Sequence, residues 1–197
     1  VLGGAVSTSA DRRFFHSVDI VPASDEYGDY DGILLGSGDR AHPTETDTSN
    51  WFFMIKDART TSGDIATIHN SRSISYPISF ADDADAATSN GWLYDITSSP
   101  NGEATEANLI SGWKLQLSES GEKNLAKPLT AEGKVFFTSY LPNGELAEGS
   151  CAPDPGSSRL YIVNFKDGGP SYQLFGSIND TTFTEEDRYT PDVEGIG

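Results

Sequence analysis

Two stretches decide how this chain is read: Asp31-Gly-Ile-Leu-Leu-Gly-Ser-Gly38 with Asn50-Trp-Phe-Phe-Met-Ile-Lys-Asp57, and Glu132-Gly-Lys-Val-Phe-Phe-Thr-Ser-Tyr140 with Arg159-Leu-Tyr-Ile-Val-Asn-Phe-Lys-Asp-Gly168. In each pair an apolar strand opens after an acid-Gly step. A polar loop follows, and an aromatic strand then ends in Lys-Asp. Short runs rich in aromatic and β-branched residues, bounded by Gly, Pro, Asn or Asp, are strand signals. Gly32–Gly36 and the start of Lys134–Tyr140 do not alternate between apolar and polar, so they read as strands covered on both faces. Two copies of one strand-loop-strand unit suggest repeated antiparallel sheets. Radial repetition of small sheets is one solution to the edge-strand problem.

Working outward, further strands are predicted at Phe14–Val21, Gly91–Ile96, Gly112–Leu117 and Ser171–Phe175. Helical periodicity is nearly absent, so helix is expected only as short turns. With 20 Gly and 10 Pro in 197 residues, the composition is that of short strands joined by many turns. The expected fold is all-β: a partial β-propeller of roughly two to three blades at about four strands a blade, a fragment of a larger propeller domain. Residues 1–178 form the propeller-like segment, and 179–197 read as an acidic C-terminal strap. The open ends of such a fragment would leave apolar flanks for a partner to cover.

The chain carries 13 basic and 30 acidic residues, a net charge of −17. Such a surface repels phosphate backbones, so nucleic acid is excluded as an expected partner. No run approaches the ~18 apolar residues of a membrane helix, so no membrane insertion is expected. The single cysteine, Cys151, sits in a Gly/Ser/Ala/Pro loop with acidic neighbours and no nearby His, which is the wrong setting for a reactive thiolate.

Acidic chains invite a test for calcium. In Asp25-Glu-Tyr-Gly-Asp-Tyr-Asp-Gly32, Asp29 and Asp31 are the candidate metal ligands, since alternate acids before a Gly can converge on one ion. Tyr27 stands where the first ligand belongs, and no bidentate acid follows at the right distance. The competing reading is a plain turn before a strand. Asp82, Asp83 and Asp85 read as a solvated loop. Three histidines, His16, His42 and His69, lack zinc-ligand spacing. His42, in Asp39-Arg-Ala-His-Pro43, is expected to be structural, with Asp39 and Arg40 bracing a loop. No nucleophile elbow or phosphate-binding loop is present. No catalytic or cofactor-binding residue is therefore assigned, and no enzymatic activity is expected.

Several blocks resemble the PilY/PilC type of type IV pilus tip adhesin and biogenesis factor. They are Arg12-Arg-Phe-Phe-His-Ser-Val-Asp-Ile-Val21, Gly32 through Pro43 leading to the strand at Trp51, Asn90-Gly-Trp-Leu-Tyr94, Gly121-Glu-Lys-Asn-Leu-Ala-Lys-Pro-Leu129, Gly133 through Tyr140, Cys151, and Ser158-Arg-Leu-Tyr161. They follow the family's order over most of the chain, and the tail matches less clearly. The resemblance implies a C-terminal β-propeller of a secreted protein at the pilus tip or cell surface of a Gram-negative bacterium. Its implied roles are pilus assembly, adhesion to host or abiotic surfaces, and twitching motility. Implied partners are minor pilins and the remainder of the same precursor. The family's propellers hold calcium, though the matching loop lies upstream of this stretch. An alternative is a fragment of a quinone-dependent propeller dehydrogenase, but Trp51, Trp92 and Trp113 do not share the repeated docking strand which that reading requires. A structural envelope scaffold is a third reading.

Overall fold

In the computed structural model, residues 12–57, 93–101, 104–142, 156–173 and 182–194 are described. Among the described residues, ten strands make up nearly all the regular structure: β1 (Asp19–Asp25), β2 (Gly28–Gly36), β3 (Trp51–Asp57), β4 (Tyr94–Asp95), β5 (Gly112–Gln116), β6 (Lys123–Asn124), β7 (Leu129–Ala131), β8 (Lys134–Leu141), β9 (Ser157–Asn164) and β10 (Val193–Glu194). Among the described residues the one helical piece is a 3-10 turn at Glu185–Arg188. The chain is thus all-β, as its sequence predicts.

The strands form two sheets. The first runs β1-β2-β3-β5-β4, antiparallel except for the short parallel pair β4 and β5. The second runs β10-β9-β8-β6, with β7 also on β8. Strand β6 pairs with the far end of β8 (Lys123 opposite Tyr140), and β7 with its near end (Leu129 opposite Phe136). They are two halves of one row, broken around Pro128, which has no N–H to give a ladder. Each sheet therefore contains a four-row antiparallel meander. The apolar strands β2 and β8 are the second rows, and the aromatic strands β3 and β9 are the third. The repeat seen in the sequence is a repeat of position.

One face of each sheet builds the common core. Leu34, Phe52, Met54 and Trp113 come from the first sheet, and Val135, Phe137, Tyr161 and Val163 from the second. Phe52 stacks on Phe137 with centroids 3.8 Å apart, and Phe137 on Tyr161 at 4.6 Å, a ring column joining the sheets. Burying such rings supplies the main drive for pairing the sheets, at about 1.5–3 kcal/mol per side chain. Trp113 also donates its indole N–H to the Phe165 carbonyl at 3.1 Å, fixing a large ring in one pose.

Coverage on both faces of β2 and β8 was the expectation, and here the structure differs. Leu34, Val135 and Phe137 are buried, but their neighbours Ile33, Leu35 and Phe136 are only half-buried. Strand alternation sends the latter to the outer faces, where cover is thinner. On the first sheet, Trp51, Phe53 and Leu93, with Leu35 and Ile55, form a smaller outer cluster. The strand expected from Phe14 begins only at Asp19, and Phe14 and Phe15 stay half-exposed. Residues 171–173 of the strand expected from Ser171 form bends, with one isolated bridge between Val163 and Pro170. Cys151, Trp92 and the 82–85 acids lie outside the described residues.

Arg188 is a main anchor of the C-terminal segment. Arg188, 1% exposed, donates to the carbonyls of Ile96, Thr97, Ser99 and Gly168 at 2.6–3.2 Å. Only a planar guanidinium offers enough donors in one plane for this. Strand β10 then adds to the edge of β9.

Candidate functional site

Directly after β2, Gly36-Ser-Gly38 meets β6 of the other sheet. A Cβ on Gly36 would lie 2.5 Å from the Asn124 side chain, and one on Gly38 would lie 2.7 Å from the Asn124 carbonyl oxygen. Glycine at both positions is what lets the sheets touch here. Asn124 donates its backbone N–H to the Ser37 carbonyl at 2.9 Å. Ser37 Oγ donates to Asn50 Oδ1 at 3.0 Å and accepts the Trp51 N–H at 2.9 Å. Asn50 Nδ2 reaches the Glu122 carbonyl at 2.9 Å. Two blocks that are distant in sequence, Gly36-Ser-Gly38 and Glu122-Lys-Asn124, are the halves of one joint.

Two clusters of ionisable groups flank it. The outer one is built on Asp39. Its Oδ2 lies 2.7 Å from Arg13 Nη1 and 2.9 Å from His42 Nδ1, and its Oδ1 accepts the Ala41 N–H at 2.9 Å. The expected brace exists, but the guanidinium on Asp39 is that of Arg13, while Arg40 is exposed. The hydrogen bond to Asp39, helped by the charge of Glu45, raises the His42 pKa, and the same bond holds Asp39 below its ordinary value. Ligand atoms of Asp39, His42 and Glu45 lie within 4.8 Å of one another. Beside them a cavity of about 60 Å³ is lined by Arg13, Asp47, Asn50 and Lys123 among others. Lys123 donates to the carbonyls of Glu45 and Gly121, and burial lowers its pKa against the pull of Glu45, Asp39 and Asp47. The carboxylates here already face cations of the chain itself, and both Asp39 oxygens are engaged. The arrangement braces the loop to the joint, and a divalent ion would have to displace Arg13.

The inner cluster is sealed. Glu122 is 1% exposed. Its Oε1 accepts from Ser139 Oγ and from the Tyr161 hydroxyl at 2.8 Å, while Arg159 Nη1 stands 3.7 Å from Oε2. Arg159 also pairs with Asp192 and Glu119 and lies over the Tyr189 ring, 4.4 Å from its centroid. Burial pushes the Glu122 pKa up, while Ser139, Tyr161 and Arg159 pull it back. Burial also drives the Tyr161 hydroxyl well up, aided by the Glu122 charge. With Glu122 buried, this network ties β6, β8 and β9 to one another.

The calcium candidates Asp29 and Asp31 lie on β2 itself, two residues apart and on its outer face. Asp31 is directly opposite Asp57 of β3, and Asp29 opposite Ser24 of β1. The hairpin turn is Glu26-Tyr27, where Asp25 Oδ1 accepts the Tyr27 N–H. Sequence reasoning found Asp39 and His42 but missed Glu122, Arg159 and Arg188. The block Gly121-Glu-Lys-Asn124 was visible in the sequence, but nothing in it signalled that Glu122 would be buried.

No family model matches the chain, and no curated protein sequence matches it. The crystal structure of the Pseudomonas aeruginosa PilY1 C-terminal domain is similar to this chain at 15% identity and a TM-score of 0.47, over 92% of this chain. The chain spans 37% of that domain, and the two share a distant likeness of fold.

Proposed function

We propose that this chain is a non-enzymatic surface module that supports type IV pilus assembly, adhesion and twitching motility, working outside a Gram-negative cell at the pilus tip. The support is the ordered run of sequence blocks resembling the PilY/PilC type. The observation that carries it is the joint: two of those blocks, Gly36-Ser-Gly38 and Gly121-Glu-Lys-Asn124, interlock with a glycine clearance of 2.5 Å that tolerates little else. Both ionisable clusters act as braces, which suits a load-bearing scaffold better than a turnover site. Minor pilins, the remainder of a longer precursor, and a host or abiotic surface are the proposed partners. Calcium at Asp29 and Asp31 belongs to the same reading.

The test is an in-frame deletion of this segment in the source bacterium, scored for surface pili and twitching. Loss of both, restored by the wild-type segment and not by a joint-breaking Gly36→Ala variant, supports the proposal. Normal pili and motility overturn it, as does quinone-dependent dye reduction by the purified chain. Calorimetric titration of the chain and of its Asp29→Asn, Asp31→Asn form tests calcium: heat with the first and none with the second is expected.

A further inference from the structure

Zinc-ligand spacing among the histidines is absent, but a carboxylate can stand in for a second imidazole. The fold supplies two. Asp39, His42 and Glu45 follow one another at every third position of the loop that leaves the joint, and one ligand atom from each lies within 4.8 Å of the others. One imidazole with two carboxylates suits a borderline divalent ion of the zinc class. Calcium and magnesium prefer oxygen ligands alone, so the imidazole selects against them.

The loop is organised before any ion arrives. The Ala41 N–H holds Asp39 Oδ1 at 2.9 Å, and Oδ2 lies 2.9 Å from His42 Nδ1. The Glu45 N–H closes the turn on the His42 carbonyl at 3.3 Å, and Lys123 ties the Glu45 carbonyl to the joint. The cavity of about 60 Å³ beside Asp39 and Glu45 has room for a water ligand. Three carboxylates line it, those of Asp39, Glu45 and Asp47, against the two cations Arg13 and Lys123.

Arg13 is the competitor, since it shares Asp39 Oδ2 with His42. Its side chain is 45% exposed, and an exposed ion pair contributes little. Three ligands closing on one ion outweigh it. The His42 side chain is 52% exposed and Glu45 is exposed, so both are open to an ion from solution.

We propose that the loop from Asp39 to Glu45 binds one zinc-class divalent cation through Asp39, His42 and Glu45, with water completing the shell and Arg13 displaced. Arg13 and the ion are then alternative partners of one carboxylate, and either clips the loop to the joint. The inference is independent of the pilus reading and of calcium at Asp29 and Asp31.

Calorimetric titration of zinc chloride into the whole chain tests it, in a non-coordinating buffer with excess calcium chloride to occupy other carboxylates. One zinc per chain is expected. His42→Ala and Glu45→Gln each weaken binding by at least about tenfold, since losing a ligand costs no less than losing a group that orients one. Arg13→Ala tightens binding, because the competing guanidinium is gone. A mere brace gives no such gain. Cobalt(II) in place of zinc gives a visible absorption band that His42→Ala loses, and circular dichroism confirms that every variant is folded. A wild-type chain that takes no zinc overturns the proposal. Zinc binding that His42→Ala leaves intact is an adventitious ion only and overturns it too, as does an Arg13→Ala chain that binds no tighter than wild type.

Discussion

The outer Asp39 cluster and the inner Glu122 cluster use similar chemistry, a carboxylate between an arginine and a hydrogen-bonding side chain, on either side of one joint. They differ in burial. Asp39 pairs with Arg13 and His42, side chains that are about half-exposed, whereas the Glu122 side chain is 0% exposed and the Arg159 side chain 8%. In water, exposed ion pairs contribute little, because solvent screens them and long side chains lose freedom. In the core, a charge deprived of its partner is costly. The same pattern of residues is therefore a local clip outside and a structural requirement inside.

The largest break in this comparison is Arg159→Ala. It leaves Glu122 buried without its cation and removes the pairing with Asp192. A loss of about 3–5 kcal/mol is expected, the size seen when one partner of a buried ion pair is deleted. Urea unfolding monitored by tryptophan fluorescence measures it. A loss near that of a surface substitution would show that the inner cluster is no more than another clip.

Glu122→Gln is expected to cost less, about 1–3 kcal/mol at neutral pH, since the amide keeps one acceptor but puts an N–H₂ where an oxygen accepted. Its sharper signature is in pH. Because burial raises the Glu122 pKa in the folded state, the wild type has a contribution fully present below the ordinary glutamate pKa. That contribution is lost as pH rises through the raised value. The Gln variant lacks this slope. Stability measured from mildly acidic to neutral pH distinguishes the two curves.

Asp39→Asn is expected to have the smallest effect, a marginal change in stability and a clear change in titration. His42 should fall back toward its ordinary pKa, read by NMR of the imidazole. In the wild type, the raised His42 pKa gives a contribution that is lost as pH rises through it. The lowered Asp39 pKa gives one that is lost as pH falls through it. The clip is strongest between the two. An unchanged His42 titration in the variant would mean that Asp39 does not hold it.

Strands whose residues carry their own signal were legible in the sequence. Trp51–Asp57 is a strand over its full predicted range, and Lys134–Tyr140 extends by one residue. Asp29-Tyr-Asp31 looked like a loop because of its acids, yet Tyr30 is 2% exposed and belongs to β2, with the turn two residues earlier. Strands β6, β7 and β10 have two or three residues each, too few to show a period. The His42 brace was legible because Asp39 is three residues away. Arg13 was not, and neither were the partners of Glu122 and Arg188, because the fold alone brings them from distant parts of the chain. What the sequence did show was the blocks Gly36-Ser-Gly38 and Gly121-Glu-Lys-Asn124 as separate stretches, without showing that they touch.

That contact is the centre of the account, and a double-mutant cycle measures it. Gly36→Ala puts a methyl group where the Asn124 side chain lies 2.5 Å away, at an expected cost of about 1–3 kcal/mol. Asn124→Gly removes the obstructing side chain and its bond to the Thr138 carbonyl. If the joint is as described, the double variant loses less than the sum of the two single losses, by at least about 0.5 kcal/mol. Strictly additive losses would contradict the joint.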